Sequence, residues 1–170
     1  MSYPMTDKLS AALTDLTKAL ADAADEAAFF RAFDATAAGL VGHRLFTLLV
    51  VCDDDAMVER IYSSNPVAYP LTGRKRMGPT PWGDLVLRQR RPYLGRDRAA
   101  IEWAFPDHAL IESLGLRSVI NIPIVAFGRV LGTMNLLDVE GHYDEAALAQ
   151  VAALAGLLAH PFARVIDTSR

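Results

Sequence analysis

The stretch Arg117-Ser-Val-Ile-Asn-Ile-Pro-Ile124 and the following Val130-Leu-Gly-Thr-Met-Asn-Leu-Leu-Asp138 carry most of the fold information in this chain. Both runs are apolar and rich in β-branched residues, and the short segment between them contains Gly128. Two such runs joined by a short glycine-containing loop predict an antiparallel β-hairpin. Residues 45–51 and about 57–63 have the same strand character, so a second hairpin is expected, with the aspartates at 53–55 in its turn.

Amphipathic helices flank the two hairpins. Apolar residues recur at helical spacing over 6–22, and again over 26–41 behind Asp25, which is a suitable N-cap. A long helix is predicted from Asp144, and Pro161 should kink or fray it near His160 because proline lacks the N–H donor. The insert between the hairpins, residues 64–118, shows turn signals and only short helical stretches.

This order of elements predicts an α+β fold. Strands joined by tight turns imply a central antiparallel sheet. We expect the long terminal helices to cover one face of the sheet and the insert of loops and short helices to cover the other. Because irregular segments pack less completely than a regular layer, the insert should enclose a pocket, and such pockets bind small molecules.

Composition restricts the class of protein. The 170 residues suffice for one domain, and 52% hydrophobic with 22% charged residues is typical of a globular chain. The net charge of -3 gives no general reason to expect nucleic-acid binding. The single cysteine, Cys52, excludes an internal disulfide and a zinc site made of several thiolates. With neither a signal peptide nor an apolar run of about 20 residues, we expect a cytoplasmic protein that does not insert into membranes.

The hairpin pattern, the element order and the helix that opens at Tyr143-Asp-Glu145 resemble a GAF domain. The resemblance covers about residues 25–162, so we expect an N-terminal helix over 1–24, the domain over 25–165 and a tail over 166–170. It implies a small ligand between sheet and insert, of a kind such as a cyclic nucleotide, bilin, haem or oxo-acid. It also implies signal transduction through an output partner and dimerisation through the terminal helices.

The residues that several activities of this family require are missing from this chain. The insert contains no cysteine, whereas the free-standing family member that reduces free methionine-R-sulfoxide uses cysteines in and beside the insert. Thiol chemistry needs a thiolate with a resolving partner, and Cys52 at the end of the first strand has none. Covalent bilin attachment fails for the same reason. The Asn-Lys-Xaa-Phe-Asp-Glu signature of cyclic-nucleotide GAF domains is also missing, so the cofactor and ligand stay unassigned.

Candidate ligand contacts are the aromatic and polar residues expected near the pocket. The aromatic side chains of the insert either line the pocket or simply fill the core. Strand alternation places Asn121 on the pocket side and Asn135 beside it, as ligand contacts or as structural amides bonded to a loop. His108 lies near the start of a short helix, where it either contacts the ligand or faces solvent. The complete candidate set is Tyr62, Trp82, Tyr93, Trp103, Phe105, His108, Asn121 and Asn135.

Residues 74–98 carry eight cations and two carboxylates, a local net charge of +6 in an otherwise acidic chain. This asymmetry suggests an anionic ligand or an acidic partner surface at the insert, although a solvated basic flank has the same composition. No nucleic-acid-binding module is recognisable. The four histidines have no metal-ligand spacing, so no metal site is predicted.

The leading hypothesis is a non-catalytic sensory module, homodimeric through its terminal helices or acting through a separate signalling partner. Leu154 and Leu157 widen the apolar stripe of the last helix, which favours an interface, although the same residues also suit packing within one subunit. An alternative is an enzyme of unrecognised chemistry that acts on a small anionic substrate, with His108 as acid or base. A third possibility is an adaptor whose pocket is filled by its own side chains.

Overall fold

The protein is described by a computed structural model over residues 7–52, 57–76 and 79–169. Its strands lie side by side in the order β3-β2-β1-β6-β5-β4, and every neighbouring pair is antiparallel. The predicted antiparallel α+β fold and both hairpins are therefore confirmed, while the turn expected at 53–55 lies outside the described residues. The strands are β1 (Leu45–Cys52), β2 (Met57–Ser63), β3 (Arg74–Arg76), β4 (Tyr93–Gly95), β5 (Ser118–Ala126) and β6 (Arg129–Asp138).

Seven helices accompany the sheet within the described ranges. The Asp25 carboxylate accepts a hydrogen bond from the Ala28 N–H at 2.8 Å, so the N-cap read from the sequence is present. A 3₁₀ turn at Gly156–Leu158 interrupts the last helical run, one turn before Pro161, whose ring excludes the normal hydrogen bond there. The helices are α1 (Asp7–Asp22), α2 (Glu26–Leu40), α3 (Pro81–Gly83, continued by a π-helical turn Asp84–Arg88), α4 (Arg98–Ala104), α5 (His108–Ser113), α6 (Glu145–Ala155) and α7 (Ala159–Thr168).

The two faces of the sheet are covered differently. On the helix face, α2, α6 and α7 pack against alternate residues of the long strands, such as Phe46, Leu48, Ile120 and Met134, and α1 packs against α2 and α6. On the insert face, α3, α4, α5 and the loops cover the remaining residues around a smaller cluster that includes Leu45 and Val119. Leu48 and Phe46 are completely buried.

The helical run Glu145–Thr168 has the length and apolar composition of a membrane-crossing helix by those two measures alone. Core helices share these properties. Here Val151, Leu154, Leu158 and Phe162 are fully buried in the helix-face core, while 33% of the most apolar window of the run is buried in all.

A β-bulge between β1 and β2 decides which side chains reach the insert face. The partner of Leu48 is Tyr62, whereas the partner of the next residue, Leu49, is Arg60, so Ile61 is the extra residue. Residues paired with Leu48 face the helices and residues paired with Leu49 face the insert. Arg60 therefore points toward the insert, and Tyr62 points toward the helices.

Candidate functional site

A cavity of about 170 Å³ lies between the insert face of the sheet and the insert. The sheet contributes alternate residues of β1, β2, β5 and β6, because only every second side chain points to this face. The insert closes the cavity with aromatic and small residues around α3, the end of α4 and the start of α5. The polar and aromatic side chains that line the cavity are Thr47, Arg60, Tyr69, Lys75, Arg76, Thr80, Trp82, Phe105, Asp107, Asn121, Thr133 and Asn135.

One wall of the cavity is a chain of side-chain amides. The indole Nε1–H of Trp82 donates to Asn121 Oδ1 at 2.9 Å, and Asn121 Nδ2 donates to Asn135 Oδ1 at 2.7 Å. Asn135 Nδ2 then lies 3.3 Å from Thr47 Oγ1 and 3.2 Å from Thr133 Oγ1. Because an indole can only donate, its bond fixes the orientation of both amides along the chain.

This amide wall is buried and internally satisfied. Asn121 is completely buried, and Asn135, Thr47 and Thr133 are almost so. Each amide has a protein partner on both its oxygen and its nitrogen. The wall therefore ties α3 to β5, β6 and β1, as a buried polar network must if it is not to destabilise the fold.

A second wall of the cavity, at β2 of the same sheet face, is cationic. Arg60 is only 6% exposed, and its Nη1 donates to the Pro70 carbonyl at 3.0 Å. The guanidinium carbon lies 4.9 Å from the centre of the Tyr69 ring, a cation–π distance. Arg60 Nε is buried without a hydrogen-bond partner, and Arg60 forms no ion pair with any described residue.

Asp107 is the carboxylate nearest to this wall, but two other groups already hold it. The Tyr69 hydroxyl donates to Asp107 Oδ2 at 3.2 Å, and Lys75 Nζ lies 3.5 Å from the same oxygen. Burial, together with Asp107, raises the pKa of Tyr69, so the phenol stays a neutral donor. Burial lowers the pKa of Arg60, although arginine remains protonated at any physiological pH. In the cavity lining the cations Arg60, Lys75 and Arg76 thus outnumber the carboxylate of Asp107.

Four of the candidate residues read from the sequence lie in the cavity lining: Trp82, Phe105, Asn121 and Asn135. Trp82 and Phe105 also contact each other, with ring centres 6.0 Å apart. The structure thus brings these four together, while their contact with a ligand stays a prediction.

Tyr62 lies on the other side of the sheet. Its ring packs against Phe30 and Phe46, and its hydroxyl donates to Asp34 Oδ2 at 2.6 Å. Strict alternation from Arg60 would have put Tyr62 on the insert face. The bulge at Ile61 rotates it to the helix face instead.

The remaining three candidates lie within the insert but outside the cavity lining. Tyr93 and Trp103 contact each other with ring centres 5.1 Å apart, and the Tyr93 hydroxyl donates to the Ala100 carbonyl at 2.9 Å. Trp103 is 46% exposed, so this pair forms the outer surface of the insert. His108 begins α5, but its neighbour Asp107 is the residue that reaches the cavity.

Arg60, Tyr69 and Asp107 line the cavity but were not among the ligand contacts predicted from the sequence. For Arg60 a signal was available, because Val58 two residues earlier shares its face of the strand and an arginine on a partly apolar face is unusual. Tyr69 and Asp107 lie in loops, where no periodicity assigns a direction to a side chain.

Most of the basic residues of the insert do not face this cavity. Arg98 pairs with Glu102 at 2.8 Å, Arg96 pairs with Glu145, and Arg88 pairs with Asp84 at 2.5 Å. Arg88 and Arg90 line a separate, open groove of about 1090 Å³ beside α3. The local charge excess is thus largely compensated by carboxylates at the surface.

The chain is similar to known proteins in sequence pattern and in fold. Residues 9–160 match a family model described as GAF domain. The chain belongs to the GAF domain family. Members of this family are known for small-molecule sensing in signalling proteins, which agrees with a cavity beneath the insert. A comparison with curated protein sequences gives no match.

Solved structures share the fold at low sequence identity. The GAF domain of a phosphoenolpyruvate-protein phosphotransferase from Coxiella burnetii has a TM-score of 0.76 at 18% identity, over 96% of this chain and 99% of that one. The corresponding domain from Acinetobacter has a TM-score of 0.77 at 11% identity, over 97% and 99%. Free methionine-R-sulfoxide reductase from Neisseria meningitidis, solved with its substrate, has a TM-score of 0.70 at 20% identity, over 95% and 94%.

Proposed function

We propose that this GAF domain is a non-catalytic sensory module that binds a small molecule in the cavity between sheet and insert. The observation that carries the proposal is the cavity itself, which is lined by a satisfied amide wall and by a buried arginine without an ion-pair partner. A domain that only needed stability would be expected to fill this space with apolar side chains.

The size of the cavity limits the ligand. A cavity of about 150 Å³ in a protein core holds benzene. With about 170 Å³, this site suits a molecule of about six to ten non-hydrogen atoms. A cyclic nucleotide, a bilin or a haem exceeds this size, so the proposed ligand belongs to the class of small metabolites.

The catalytic alternative has little support at this cavity. Cys52 and His108, the residues on which thiol chemistry or acid–base chemistry would rest, are both absent from the lining. Within residues 7–52, 57–76 and 79–169, no cluster of three His, Cys, Asp or Glu side chains could hold a metal ion. Occupancy of the cavity, rather than turnover, is therefore the proposed signal.

Transmission of the signal through a homodimer or a partner protein is part of the proposal. Leu154 is fully buried and Leu157 partly buried within a single subunit, so the last helix owes its wide apolar stripe to its own core. The large hydrophobic side chains exposed in the described regions lie elsewhere, at Val67, Leu71, Trp103, Leu110, Val125 and Phe127. Sedimentation velocity at micromolar concentration tests the homodimer, and a monomer there would leave the partner protein as the route.

The two tryptophans of the chain allow a direct test of binding. Trp103→Phe leaves Trp82, which lines the cavity, as the only indole, whereas Trp82→Phe leaves the exposed Trp103. A small metabolite that enters the cavity should shift the emission of the first variant and leave that of the second unchanged. Native mass spectrometry of the purified protein would identify any ligand that co-purifies.

The proposal fails if the native mass is that of the bare chain and no compound from a library of small metabolites changes Trp82 emission. That result would favour an adaptor that signals through protein contacts alone.

A further inference from the structure

Arg60 is a buried cation without a counter-charge. It is 6% exposed, and its Nε has no partner among the described residues. Its remaining contacts are one backbone carbonyl and one aromatic ring. Burying a charge without an ion pair destabilises a protein strongly, so buried arginines are normally paired with carboxylates or other anions.

The cations of the insert differ from Arg60 in exposure and in pairing. Arg96 and Arg98 are half-exposed or more, and each has a carboxylate partner. Lys75 is also half-exposed and contacts Asp107. Arg60 is thus the buried cation that faces the cavity, while the cations with counter-charges lie nearer to solvent.

Asp107 does not neutralise Arg60. The Asp107 carboxylate favours the charged form of Arg60 from a distance, but no ion pair joins the two side chains. Instead Asp107 accepts from the Tyr69 hydroxyl and faces Lys75. A position in the cavity beside the Arg60 guanidinium therefore favours a negative group supplied from outside the chain.

We propose that the ligand of the cavity is a small organic carboxylate whose charged group binds Arg60, with Lys75 at the same end of the cavity. This inference rests on the proposed function, since it names the ligand class of that same site. The rest of the molecule lies against Trp82, Phe105 and the amide wall, which offers apolar ring faces and few free polar groups. A ligand with one charged end and an apolar or weakly polar body fits this division.

Pairs of carboxylates and their neutral amides of equal size test the inference. Benzoate with benzamide, and isovalerate with isovaleramide, fall within the size range of the cavity and differ only in charge. Each is titrated into the Trp103→Phe variant, and the Trp82 emission is followed. A hydrogen-bonded ion pair with Arg60 should make the carboxylate bind about tenfold to a hundredfold more tightly than its amide.

Variants that each remove one positive charge show which residue causes the preference for the carboxylate over the amide. Arg60→Gln should reduce the ratio between carboxylate and amide affinity to less than about twofold, and Lys75→Gln should reduce it by a smaller factor. Arg31→Gln removes the same charge from an exposed position on α2 and should leave the ratio unchanged. A ratio near one in the parent protein, or a ratio that survives in Arg60→Gln, overturns the carboxylate while leaving a ligand-binding cavity intact.

Thermal unfolding separates this role from a purely structural one. If Arg60 mainly anchors the loop at Pro70, Arg60→Met lowers the melting temperature of the ligand-free protein, which contradicts the inference. If Arg60 is unpaired until a ligand binds, Arg60→Met leaves the melting temperature of the ligand-free protein equal or higher, because an unpaired buried charge has been removed. Failure of every probe to bind also contradicts the proposal of a carboxylate ligand. If native mass spectrometry in addition shows only the mass of the bare chain, the sensory proposal fails as well.

Discussion

The helix face and the insert face of the same sheet differ in how completely they are packed and in how many polar groups they bury. On the helix face, four helices bury a continuous apolar layer that includes Phe33, Phe46 and Leu48. On the insert face, short helices and loops leave a cavity and bury amides, hydroxyls and a guanidinium. One side is packed for stability and the other retains polar groups that a stable core does not need. Ligand binding is expected on the side that is packed less completely.

Substitutions of two neighbouring leucines on β1 test this difference in packing directly. Leu48 is completely buried in the helix-face core, whereas Leu49 lines the cavity. Leu48→Ala should lower the free energy of unfolding by about 3–5 kcal/mol, and Leu49→Ala by about 1–2 kcal/mol, because a side chain beside a cavity loses fewer contacts. Chemical denaturation of both variants gives the values, and equal losses would show that the two faces are packed alike.

The architecture was predictable because the long strands and helices repeat their pattern. β5 and β6 alternate between two buried faces, and α2 begins at the Asp25 cap that the sequence indicates. The short strand β3 could not be predicted, since three consecutive basic residues carry no strand pattern and pair with β2 only through the tertiary fold.

The amide wall is the second place where the faces can be compared. Asn121→Ala removes the acceptor for Trp82 and the donor to Asn135, so two buried groups lose their partners. We expect a loss of about 2–3 kcal/mol in the free energy of unfolding. In a double-mutant cycle with Trp82→Phe, the coupling energy should be at least about 1 kcal/mol.

Gln150→Ala, at a partly exposed position on α6, is a suitable control for this cycle, with a change below about 0.5 kcal/mol. Additive effects of the Asn121 and Trp82 substitutions would mean that the amide wall does not hold α3 to the sheet.

On the strands, the site residues were predictable only where strand alternation held. Alternation placed Asn121 and Asn135 on the insert face, and both line the cavity. The bulge at Ile61 reversed the expectation for Tyr62, because a single extra residue exchanges the two faces of a strand. The same bulge separates Arg60 from Tyr62. Nothing in the local sequence marks it, since its cause is the pairing with β1.

The tip of the β5–β6 hairpin provides a smaller test. Phe127 has φ = +51° and Gly128 has φ = +77°, so both central residues of the turn adopt the left-handed conformation. Asn-Gly is the preferred pair for such a turn, and the Phe127 side chain is fully exposed. Phe127→Asn should therefore raise the free energy of unfolding by about 1 kcal/mol.

Phe127→Ala is the control, since alanine removes the ring and keeps the strained conformation, and it should bring no gain. A loss of stability in Phe127→Asn would indicate that the exposed ring contacts another surface, which a second copy of the chain could supply.

The outer charges of the insert should matter least. Arg117 and Glu112 form an ion pair at 3.2 Å, and the Arg117 side chain is 43% exposed. Arg117→Gln should lower the free energy of unfolding by no more than about 0.5 kcal/mol, and this effect should vanish in about 1 M salt, because exposed pairs are weak and screened. Any gain in stability from Arg60→Met should persist in the same salt, because the charge that it removes is buried. If both variants respond to salt alike, Arg60 is hydrated, and the contrast between the buried, unpaired charge of Arg60 and the exposed, paired charges of the insert disappears.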